Sequence, residues 1–93
     1  MTRADAIEQA LRTRLAPAHL SVVDESAAHA GHAGAAGGGG HFRILVVAAA
    51  FRGQDAVSRH RLVYAALGDS MRAEIHAVAL QTFTPEEWDA RSQ

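Results

Sequence analysis

The chain has no cysteine. That excludes a disulfide staple and thiolate ligation of a metal by its own side chains, and it fits a reducing compartment. There is also no lysine: all nine basic residues are arginine. The net charge of −1 argues against strong general affinity for nucleic acid, which depends on neutralising phosphates. No run reaches the ~18 apolar residues that a membrane helix needs. The start, Met1-Thr-Arg-Ala-Asp5, has no apolar signal core, so a cytoplasmic location is expected. Ninety-three residues leave room for one core, so a single domain over 1–93 is expected.

What is present reads as alternating elements. Thr2 is a cap for a helix over about 3–15 with Ile7, Leu11 and Leu15 on one face, and Pro17 stops it. His19–Glu25 reads as a strand. Residues 26–40 hold only Glu-free Ser, Ala, Gly and His, with no apolar side chain above alanine. That composition predicts a flexible loop between two strands. From His41, Phe42, Ile44 and Val46 alternate with Arg43, Leu45 and Val47, a strand running to about Ala49. Its second face is also apolar, which implies a cover for Leu45 and Val47, a partner being one candidate. Asp55 caps a helix that ends at Gly68. Ile75–Phe83 is nearly continuous in apolar or small residues, as a strand buried between neighbours would be. Thr84-Pro85-Glu86-Glu87 opens a last helix.

The order α-β-β-α-β-α predicts a two-layer α+β fold. Its three-stranded mixed sheet is a hairpin joined by a right-handed crossover helix to a parallel strand, with helices on one face.

Several pieces then occur in order: Asp24-Glu25-Ser26, His41-Phe42, Phe51-Arg52-Gly53, Arg59-His60-Arg61, Val63-Tyr64, Ile75-His76-Ala77 and Thr84-Pro85-Glu86-Glu87-Trp88. Together they resemble the BolA-like proteins across nearly the whole chain. The resemblance implies a type II KH-like fold. It also implies two activities, neither enzymatic. One is a complex with a monothiol glutaredoxin that shares a 2Fe–2S cluster, glutathione supplying a thiol; no cluster is expected in the isolated chain, which would be a monomer or weak homodimer. The other is DNA binding as a transcriptional regulator of cell shape and stress response.

In the cluster role the resemblance implies His76 as one ligand and a loop histidine as the other. Counting forward from Ser26 gives His29; counting back from His41 gives His32, which is narrowly preferred. On the residues alone, His76 also reads as a strand histidine bonded to backbone, and His29 and His32 as solvated loop residues. The spacing of His29, His32 and His41 would suit zinc, but no cysteine accompanies it. His41 and His60 read as structural, and Asp24 and Glu25 as hairpin residues. For a partner or DNA, the candidates are Arg52, Arg59, Arg61 and Arg72. Arg59 and Arg61 read equally as surface residues or ion-pair partners of Asp55 or Glu74. The segment Asp55–Arg72 resembles a helix-turn-helix, but Gly68-Asp-Ser-Met71 lacks the second glycine of a KH clamp.

Overall fold

The computed structural model describes residues 2–25, 40–68 and 75–91, with the side chains at 75–77 excepted. In chain order the elements are α1 (Arg3–Leu15), β1 (His19–Asp24), β2 (Gly40–Val47), a 3-10 turn (Ala49–Phe51), α2 (Ala56–Leu67), β3 (Ile75–Phe83) and α3 (Pro85–Arg91).

Helix α1 begins where its sequence can satisfy its first amides. Thr2 Oγ1 accepts from the Asp5 N–H at 3.0 Å, and Asp5 Oδ2 accepts from the Thr2 N–H at 3.1 Å. Those bonds hold the Asp5 carboxyl below the usual carboxylate range. Ile7 and Leu11 turn inward and are fully buried. The helix stops at Ala16, whose φ of 44° is left-handed, directly before Pro17. Two residues earlier, Arg14 Nη1 donates to the C=O groups of Ala66 (3.0 Å) and Ala65 (3.3 Å), which are orphan carbonyls at the end of α2.

The sheet order is β1-β2-β3, with β1 antiparallel and β3 parallel to β2. Phe42, Ile44 and Val46 face α1 and α2 and join Ile7, Leu11, Phe51, Val63 and Leu67 in the core. The apolar run of β3 predicts a strand with neighbours on both sides, but the central strand is β2. The crossover through α2 sets β3 on the far side of β2 from β1, so β3 is an edge, with Ala79 and Gln81 exposed. The second strand also ends at Val47, earlier than its apolar run suggests. Ala49–Phe51 turns instead, and this sinks Phe51 into the core. Gly53, at φ 74°, completes the reversal before Asp55 caps α2 by accepting from the Ser58 N–H at 2.8 Å.

Helices α1 and α2 share one face. Trp88 of α3 lies against the other. His19, Val47 and Phe83 form one row across the three strands, on the face opposite Val46. Strands sit ~4.8 Å apart, so His19 and Phe83 are roughly 10 Å apart. The Trp88 ring is 5.3 Å from the His19 ring, stacked, and 5.6 Å from the Phe83 ring. The indole therefore bridges the rings of the two outer strands on the face that carries Val47, and Val47 is buried. The cover that the second apolar face required is, at this end, the chain's own indole.

Candidate functional site

One end of the sheet collects the segments that carry the candidate ligands. The Glu25 N–H donates to the His41 C=O at 2.7 Å, closing the end of β1 on the start of β2. Gly40 pairs with Ile75 and His41 with Ala77, so the ladder shifts by one residue between them. The residue without a partner in β2 is His76. An extra residue in one strand leaves a local unpaired backbone and increases the twist, and such bulges concentrate beside functional sites.

The histidine-bearing segment 26–39 leaves and re-enters at this same end. His29, His32 and the imidazole of His76 lie outside the described residues. Covalent reach still bounds them. At up to ~3.6 Å per residue, His29 lies within about 14 Å of Glu25 and His32 within about 25 Å. From β1 to β3 is only ~10 Å. Among the described residues, no group of three or more His, Asp or Glu side chains gathers as a metal site. His41 is half-buried on β2 and His60 half-buried on α2. Glu25 is held by Arg43, 3.3 Å away, at the mouth of this edge.

The arginines divide differently. Arg52 makes a forked pair with Glu86, its Nε donating to Oε1 at 2.7 Å and Nη2 to Oε2. That bonding holds the guanidinium more firmly protonated and the Glu86 carboxyl lower than usual. Arg59 forks onto Glu87 at 2.6 and 3.2 Å, and its Nε donates to the Gln54 C=O at 2.8 Å. Arg61 is exposed and lies close enough to lower Asp55 slightly, after the larger effect of the Ser58 amide. Arg72 falls outside the described residues. The acids that answer Arg52 and Arg59 sit in α3; of the partners expected for Arg59 and Arg61, Asp55 feels Arg61, and Glu74 lies outside the described residues. Glu86 and Glu87 are legible as helix-start residues, but a pairing across 34 and 28 positions leaves no local signal in the sequence.

Comparison with known proteins settles the family. The model of the family described as "BolA-like protein" matches residues 11–87. The chain belongs to the BolA-like family. The DNA-binding transcriptional regulator BolA of Escherichia coli K12 is 39% identical over 83 residues, covering 89% of this chain and 76% of that protein. Human BolA-like protein 1 is 41% identical over 91 residues, covering 94% of this chain and 64% of its own length. This BolA-like chain thus spans somewhat under two thirds of its human relative. In three dimensions, the BolA domain of SufE1 from Arabidopsis thaliana matches with a TM-score of 0.79 and 38% identity, over 94% of this chain and 96% of that one. The BolA-like fold of three helices and a mixed three-stranded sheet agrees with the architecture built above. Among the described residues no helix is long and apolar enough to cross a membrane.

Proposed function

We propose that this BolA-like protein is a non-enzymatic adaptor in iron–sulfur cluster assembly or iron regulation, holding a 2Fe–2S cluster jointly with a monothiol glutaredoxin. The observation that supports it is the sheet register: His76 occupies a bulge at the edge where the histidine-bearing segment 26–39 is tethered at both ends. Imidazoles can replace two thiolates on one iron of such a cluster. The donor chemistry suits half a site, because this chain offers histidines and no cysteine. His76 would be one ligand and His32, or else His29, the other. A glutaredoxin cysteine and a glutathione thiol would complete the set. The occurrence of a BolA domain in SufE1 favours this setting.

The test is to mix the protein with cluster-loaded monothiol glutaredoxin and record visible absorption and circular dichroism. The mixture should give a spectrum distinct from that of the glutaredoxin alone. His76→Ala should abolish the change, and only one of His32→Ala and His29→Ala should do the same. An unaltered mixed spectrum with His76→Ala would refute the ligand assignment.

DNA binding is the second reading, and the name of the Escherichia coli relative favours it. Its electrostatic support is thin, because Glu86 and Glu87 already neutralise Arg52 and Arg59. Arg61 and Arg72 would carry what remains of the patch. Binding to a duplex that persists from low to moderate salt would support this role; loss across that interval would mark incidental contact.

A further inference from the structure

The free edge of β3 is unlike the other edge of the sheet. β1 is six residues long, follows Pro17 and ends on Asp24. β3 is nine residues long, with no charged residue and no proline: Ile75-His-Ala-Val-Ala-Leu-Gln-Thr-Phe83. Sheet edges are normally blunted by charge, proline or short length, because their open amides template pairing. Among the described residues nothing pairs with β3 on this side.

The hydrogen-bond phase of that edge follows from one contact. The Phe83 C=O accepts from the Ala48 N–H at 3.0 Å, so the Phe83 peptide groups point toward β2. Alternation then directs those of Gln81 and Ala79 the same way, and turns the N–H and C=O groups of Val78, Leu80 and Thr82 outward. The side chains of Val78 and Leu80 pack on the core yet remain half-exposed. The core therefore runs out at this edge with apolar surface still showing.

We infer that β3 is a self-pairing edge, on which a second copy of this chain docks its own β3 antiparallel across a two-fold axis. The occupant fits because both halves of the contact are the same uncharged strand, so no like charges meet. An axis at Leu80 uses every outward group of 78–82. Val78 opposes Thr82 of the copy, Leu80 opposes Leu80, and roughly six ladder hydrogen bonds form. Val78 and Leu80 then meet their counterparts and continue the apolar layer across the axis. On the opposite face, Ala79 stands directly across from Gln81 of the copy. A single added ladder buries well under the ~1,200 Å² of standard interfaces, so the dimer is weak and concentration-dependent. It needs neither cluster nor glutaredoxin.

Charge placement tests both the surface and the register. Ala79 and Gln81 are exposed, so lysine at either should leave the monomer folded, which far-UV circular dichroism checks. Sedimentation equilibrium of the wild-type chain, from micromolar to near-millimolar, should show reversible dimerisation. The amides of Val78, Leu80 and Thr82 should gain hydrogen-exchange protection as concentration rises. Ala79→Lys with Gln81→Lys sets lysine directly against lysine twice and should weaken association about tenfold. Ala79→Lys with Gln81→Glu sets opposite charges across the same two positions and should restore it. A wild-type chain monomeric throughout would overturn the inference and leave the edge to an extended segment of another protein. Dimerisation that ignores the double lysine, or that the Lys/Glu variant fails to restore, would place the contact elsewhere and also overturn it.

Discussion

Glu87 does three things with one carboxylate. It takes the forked bond from Arg59, it accepts the Thr84 N–H at 2.8 Å, and it starts α3. The Arg59 hydrogen bonds, then the Thr84 amide, bring its pKa down from the ordinary glutamate value to about 2. A carboxyl lowered in the folded state favours folding above its unfolded pKa, and that contribution fades as pH drops toward the folded value. The Glu87 contribution is thus complete above about pH 5, falls as pH drops below the unfolded pKa, and is nearly exhausted at about pH 2. Comparing wild type with Glu87→Gln separates it from Asp5, Asp55 and Glu86, which are also lowered. Urea midpoints should differ at pH 7, approach each other through pH 4 to 3, and nearly meet by about pH 2. A gap that stayed constant down to pH 2 would assign the stabilisation to packing of the side chain and not to its charge.

At the scale of elements, starts were easier to read than stops. Thr2, Asp55 and Thr84 all cap as their sequences imply, because a cap and its amide are three residues apart. The end of α1 was legible only as Pro17; the structure adds that Ala16 turns left-handed to get there. A non-glycine residue in that region costs roughly 1 kcal/mol. Ala16→Gly should therefore raise stability by about 0.5–1 kcal/mol despite glycine's greater chain entropy, and Ala16→Val should lower it. Chemical unfolding of the two variants beside wild type checks the sign; a destabilised glycine variant would contradict the backbone assignment. Position within the sheet was less legible than the strands themselves. The run from Ile75 to Phe83 is equally apolar whether it lies at the centre or the edge. The crossover through α2 decides, because it sets β3 on the far side of β2 from β1, and the apolar run of β3 carries no mark of that. The cover on the face of Val47 was hidden in the same way, because Trp88 reaches that face from 41 positions away only once the three strands are aligned.

For the whole molecule, the candidate site was legible as residue types and not as a place. A histidine heading a strand and histidines in a glycine-rich segment could have sat at opposite ends of the sheet. The parallel pairing of β2 with β3 is what brings Ile75–Ala77 beside Gly40–His41. If those imidazoles bind iron, they must be neutral to do so, and an ordinary imidazole takes up its proton near pH ~6.5. Protonation would then compete with the cluster in a range where glutaredoxin's own thiolate ligands have no histidine to lose. Cluster retention in the mixed complex should weaken between about pH 7.5 and pH 6. The cluster on glutaredoxin alone, titrated in parallel, should be less affected over that interval. Circular dichroism of the two samples followed through one titration makes the comparison. A mixed spectrum that stays flat from pH 7.5 to 6 would remove histidine from the ligand set, whatever its position on the sheet.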